Sequence, residues 1–197
     1  MVKKIAVLVS GSGTNLQAII DNQDTLHGEV VLVVSNRKNA YGLQRAKNAN
    51  IETAVIRNDD ETMIKLLQER EVDIVVLAGY LAILSPEFIA AYPNKIINIH
   101  PSLLPSFGGK GAYGLHVHEQ ALDRGVKITG ATVHFVSEEV DGGPIIIQEA
   151  CDISDLTTAE EIQQRVLKIE HVILSKAIKA ICEDNITIEK GKVIIHA

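Results

Sequence analysis

With 197 residues, the chain can bury a substantial core without disulfides or a structural metal. A net charge of −6 argues against the broad basic footprint of a nucleic-acid binder. The longest apolar run, IVVLAGYLAIL, is too short to cross a bilayer as a helix. Cys151 and Cys182 are far apart and form no C-x-x-C, so they read as reduced thiols of a cytoplasmic protein. Met1 to Lys4 leads into a strand rather than the apolar region of a signal peptide.

In chain order, apolar β-branched runs alternate with segments of helical period. IAVLVS (Ile5 to Ser10) is followed by a glycine turn and a helix from about Thr14 to Asp21. EVVLVVSN precedes the helical YGLQRAKNAN; TAVI precedes DETMIKLLQERE, in which Met63, Leu66 and Leu67 share one face. DIVVLAGY leads to SPEFIAAYP, with Ser85 as N-cap and Pro86 in the first helical position. KIINI is the next strand. A helix follows over about Leu115 to Arg124, ended by Gly125, and then the strands ITGATVHFVS and GPIIIQEACDI, expected to be antiparallel. A long helix runs from about Ala159 to Glu183, and ITIEKGKVIIH reads as a hairpin turning at Lys190-Gly191. The pattern predicts a single α/β domain over residues 1–197. Its expected core is an open, mostly parallel twisted sheet with helices on both faces and an antiparallel pair toward the C-terminal half.

Three stretches could carry chemistry. In SGSGTNLQAII, Gly11 and Gly13 lie between strand and helix, where backbone N–H groups and the helix dipole favour an anion. Leu16 replaces the third glycine of the dinucleotide fingerprint, and the second strand ends in Ser35-Asn36 without an acidic ribose ligand. A single phosphate fits better than a dinucleotide, with a merely structural βα turn as the plainer alternative. In NIHPSLLPSF, strand alternation puts Asn98 and His100 on one side, and Pro101 and Pro105 stiffen the loop. An amide and an imidazole at a strand's carboxyl end can stabilise an oxyanion and supply a proton. In EEVDGGPI, Asp141 sits on a glycine turn; beside His100 it would favour the imidazolium and raise the histidine pKa. His134 alternates with Val133 and Phe135 and is read as a supporting group lining the cleft. His116 and His118 are read as positions on a partly exposed helix, because residues two apart face different ways and no metal motif is present.

In this order and spacing, SGSGTNLQAII, VVLAGYLAILS, NIHPSLLPSF and GATVHFVSEEVDGGPI resemble the glycinamide-ribonucleotide branch of the folate-dependent formyltransferase family over nearly the whole chain. The resemblance implies a Rossmann-like formyltransferase fold and formyl transfer from 10-formyltetrahydrofolate, as co-substrate and without metal, to the amine of 5-phosphoribosylglycinamide in purine synthesis. It implies that Asn98, His100 and Asp141 are catalytic. Gly11, Ser12, Gly13, Thr14, Asn15, Leu16 and Glu170 would hold the ribonucleotide and its phosphate. Leu81, Ala82, Ile83, Leu84, Asn98, Ser137, Glu138, Glu139, Val140 and Asp141 would wrap the folate, largely through backbone groups. Ala82 stands where many relatives have an arginine and Leu167 where many have a glutamine. Lys110, in a longer glycine-rich segment, is the candidate replacement cation.

The partners so implied are small molecules, not nucleic acid or membrane; a homodimer is left open. Two rival readings stand beside this one. A formyltetrahydrofolate hydrolase would use the same trio with water as nucleophile, normally behind an added N-terminal domain. A non-catalytic phosphate-ligand sensor would use the glycine turn alone.

Overall fold

The structure is a computed structural model and describes residues 1–196. Its sheet contains β1 (Lys3–Val9), β2 (Gly28–Ser35), β3 (Glu52–Val55), β4 (Ile74–Leu77), β5 (Ile96–His100), β6 (Ile128–Phe135) and β7 (Ile145–Asp152). The spatial order is β3-β2-β1-β4-β5-β6-β7. Pairing is parallel from β3 through β5; β6 is antiparallel to both β5 and β7. A separate antiparallel hairpin joins β8 (Ile186–Glu189) to β9 (Lys192–Ile195). It turns at Lys190-Gly191, both with positive φ, as the tight two-residue connection requires.

The apolar runs become strands because helices cover both faces of the sheet. Ile5, Val7 and Val9 of β1 enter one core cluster, while Ala6 and Leu8 enter the other. The helices are α1 (Thr14–Asp21), α2 (Tyr41–Asn48), α3 (Asp60–Glu69), α4 (Pro86–Ala91), α5 (Leu115–Arg124) and α6 (Ala159–Cys182). Apolar side chains of α1, α2, α5 and α6 pack into the first cluster; those of α3 and α4 pack into the second. Each fully buried aliphatic or aromatic side chain among them contributes about 1.5–3 kcal/mol.

The helix boundaries have local causes. The Ser85 hydroxyl accepts the Phe88 N–H ahead of Pro86 at the start of α4. Thr158 and Glu161 form a reciprocal capping box on α6, and left-handed Gly125 terminates α5. The expected elements and the antiparallel relation of β6 and β7 are all present. In addition β6 pairs with β5, bringing Asn98 opposite His134 and His100 opposite Thr132.

Candidate active site

Strand order reverses between β1 and β4, opening a crevice at the carboxyl ends of the parallel strands. There Ser10 N–H donates to the Gly79 carbonyl at 3.1 Å, tying the two loops together. The turn after β1 ends at Gly13, left-handed at φ 71°, and no side chain caps α1. A Cβ on Gly13 would lie 2.6 Å from the Gly42 Cα of α2, whereas one on Gly11 would meet nothing. Gly13 is therefore required by conformation and packing, and Gly11 is not. Gly11 and Ser12 are exposed at the turn. Arg45 Nε holds the Ser12 carbonyl at 2.8 Å. The Leu16 side chain is wholly buried in the core, so only its backbone could serve a ligand.

A cavity of about 350 Å³ opens beside this turn. Asn15 and Glu170 meet on its wall, where Asn15 Nδ2 donates to Glu170 Oε2 at 2.8 Å. Glu170 is 5 % exposed, and burial raises its carboxyl pKa against the lowering effect of the Asn15 bond. Among the described residues, the buried Asn15 Oδ1 has no hydrogen-bond partner. Both residues line the cavity, so they bring a carboxyl and an amide to the wall a polar ligand would meet.

Asn98, His100 and Asp141 line the same cavity. His100 Nε2 lies 2.9 Å from the Phe107 carbonyl, which can only accept, so Nε2 carries a proton. His100 Nδ1 lies 3.6 Å from Asp141 Oδ2. That oxygen also accepts the Gly109 N–H at 2.9 Å, and Asp141 itself has positive φ. The glycine-rich segment thus grips both partners: one of its carbonyls fixes the imidazole and one of its N–H groups fixes the carboxylate. His134 completes the cluster. Its Nε2 is 3.1 Å from Asn98 Nδ2 and 3.8 Å from Asp141 Oδ1. Burial lowers its pKa, partly offset by its bond to the Phe135 carbonyl and by Asp141.

Leu81 to Leu84 form one rim of the cavity and Ser137 to Asp141 another. Leu81 N–H is pinned by the Ser10 hydroxyl at 2.9 Å, so this rim is anchored to β1. Lys110 also lines the cavity and is exposed.

The expectation of a partly exposed helix holds for His116, which pairs with Glu119, and fails for His118. His118 is 1 % exposed, lines the cavity, and has a buried Nδ1 without a hydrogen-bond partner among the described residues. Burial, reinforced by His100, lowers its pKa to about 4, so it is neutral near pH 7. Its spacing from Ala121 and Leu122 is that of one helix face, which is the sequence signal for its burial.

A family model described as formyl transferase matches residues 3–178. The chain belongs to the formyl transferase family. This formyltransferase is 41% identical to the phosphoribosylglycinamide formyltransferase of Haemophilus influenzae, over 98% of its own length and 96% of that relative's. It is 42% identical to the trifunctional purine biosynthetic protein adenosine-3 of Gallus gallus, but spans only 20% of that longer chain. Glycinamide ribonucleotide transformylase 1 of Symbiobacterium toebii superposes with a TM-score of 0.93 at 41% identity, covering 99% of this chain and 94% of the other. A formyltetrahydrofolate deformylase of Pseudomonas syringae also superposes, with a TM-score of 0.90, but at 28% identity. In that pair this formyltransferase is covered completely and the deformylase over 67% of its chain. The transformylase of Symbiobacterium toebii thus matches it at higher sequence identity than the named deformylase does.

Proposed function

We propose that residues 1–197 act as one domain that transfers the formyl group of 10-formyltetrahydrofolate to the amine of 5-phosphoribosylglycinamide. The products are formylglycinamide ribonucleotide and tetrahydrofolate, made during purine synthesis. The supporting observation is the convergence of Asn98, His100 and Asp141 on the cavity that also exposes the buried Asn15–Glu170 pair. One wall suits a formyl carbonyl and the other, through Asn15 and Glu170, the N–H and O–H groups of a ribonucleotide.

In this reading the phosphate sits on the turn from Gly11 to Leu16, through backbone N–H groups at the uncapped start of α1. Glu170 and Asn15 receive the polar groups of the glycinamide. The pterin lies between the rims formed by Leu81 to Leu84 and Ser137 to Asp141, and Lys110 supplies a cation to the folate's acidic tail.

The amine nitrogen attacks the formyl carbon, and the carbonyl π pair moves onto oxygen. Asn98 Nδ2–H and protonated His100 Nδ1–H stabilise this oxyanion. The attacking nitrogen then gives up a proton, with Asp141 and an ordered water providing the path. The folate N10 takes up a proton from His100 as the C–N10 bond breaks. Nδ1 is the working nitrogen because Phe107 occupies Nε2. The Asp141 carboxylate faces that nitrogen at 3.6 Å.

The decisive assay follows formyl transfer from 10-formyltetrahydrofolate with and without the ribonucleotide. Turnover that depends on the ribonucleotide is expected. Equal consumption of the folate without it would identify a hydrolase, and ribonucleotide binding without turnover would identify a sensor. Lys110→Ala is expected to raise the folate KM; an unchanged KM would remove the cation assigned to Lys110.

A further inference from the structure

Asn98 can stabilise an oxyanion only if its amide presents N–H rather than C=O to the reacting carbonyl. Nothing in an asparagine side chain enforces that choice, since a half-turn about its last bond exchanges the two groups at similar volume. The neighbouring hydrogen bonds do enforce it.

His134 lies directly opposite Asn98 across the β5–β6 pair, so the two side chains emerge on the same face. Its Nδ1 is 2.8 Å from the Phe135 carbonyl, an obligate acceptor, and therefore carries the ring proton. The neutral ring then has one remaining function, a lone pair on Nε2, which faces the Asn98 amide at 3.1 Å. Only the Nδ2 end of that amide can satisfy a lone pair. One Nδ2–H is thereby committed to His134, and the other is free to point at the reacting oxygen.

We propose that His134 is a positioning residue for formyl transfer: its neutral Nδ1–H tautomer, set by the Phe135 carbonyl, locks the Asn98 amide with N–H facing the reacting carbonyl. The inference rests on the proposed role of Asn98 in this reaction.

The charged groups facing His134 fit this assignment. Asp141 Oδ1 is 3.8 Å from Nε2, so a proton on His134 would draw the carboxylate away from His100. It would also repel Nδ2 and turn the amide oxygen toward the substrate. Burial and the neighbouring His100 work against that protonation, while the Phe135 bond and Asp141 favour it. Burial is the largest of these influences and holds the His134 ring toward its neutral form.

The test uses the full-length protein. His134→Phe keeps a flat buried ring but removes the acceptor. It should lower kcat by roughly 10- to 100-fold, the range expected when a transition-state donor loses its orientation, with both KM values within about twofold. His134→Gln, whose side-chain oxygen can accept from Asn98, should recover most of that loss. In an Asn98→Ala background, His134→Phe should change kcat by less than about twofold, because the group it positions is gone. Unchanged kcat in His134→Phe, no recovery with Gln, or an equal loss in the Asn98→Ala background would each overturn the proposal.

Nitrogen NMR of the wild-type imidazole provides a readout that needs no substitution and no turnover. A protonated Nδ1 with an unprotonated Nε2 from pH 6 to 8 supports the lock, and the opposite tautomer overturns it. Absence of ribonucleotide-dependent transfer by the wild-type protein would instead strike the proposed function, leaving the NMR result to decide the amide geometry.

Discussion

At the scale of single residues, the two glycines of the first turn have different reasons to be there. Gly13 combines a left-handed φ of 71° with a backbone neighbour at 2.6 Å from any added Cβ. Gly13→Ala should therefore cost more than 1 kcal/mol of stability, read as a lower denaturation midpoint, because strain and clash add. Gly11 has open space and no positive φ, so Gly11→Ala should unfold at the wild-type denaturant concentration. Any effect of that change should appear in ribonucleotide binding alone. Asp141→Asn keeps the shape of the side chain and removes the charge facing His100. A severe fall in kcat with little change in KM is expected, and steady-state kinetics would show it; wild-type turnover would remove the acid–base coupling. Asn98→Ala should reduce kcat by about 10²–10³, the usual cost of one oxyanion donor.

At the scale of elements, α6 carries Glu170 to the cavity wall while most of its buried side chains pack into the core. Its start is fixed by Thr158, whose hydroxyl accepts the Glu161 N–H while Glu161 reaches back to the Thr158 N–H. Loss of that cap in Thr158→Ala should cost about 1 kcal/mol, measurable by denaturant titration. Antiparallel β6 performs a comparable service on the other wall, because its register against β5 sets His134 opposite Asn98. The sequence contained both strands but not their adjacency. Residues of one strand find partners on another through whole-sheet pairing, and local pattern does not encode that pairing.

At the scale of the molecule, the buried titratable groups set how stability responds to pH. His118 has a folded pKa of about 4, below its ordinary 6.5, so the unfolded chain binds its proton more readily. Stability must then fall as pH drops from 6.5 toward 4, by up to roughly 3 kcal/mol from this group. The lowered pKa of His134 acts in the same direction. Glu170 acts oppositely: its folded pKa is raised above 4.5, so stability falls as pH climbs from that value through the folded one. Thermal unfolding across pH should show His118→Gln flattening the acid limb. Glu170→Gln should remove the loss above pH 4.5 while weakening ribonucleotide binding.

The sequence by itself determined the alternation of strands and helices, the faces that are buried and the family. Those depend on local periodicity, on turn chemistry at positions such as Ser85, Gly125 and Lys190-Gly191, and on motifs that read along the chain. It also placed Asn98 and His100 together, because two residues apart on one strand share a face. Only the tertiary structure decided that Asp141 lies 3.6 Å from His100, that Phe107 and Gly109 hold that pair, and that His118 is buried beside the cavity. These relations join segments far apart in the chain, and they come into being when strand order and helix packing bring the loops to one edge of the sheet.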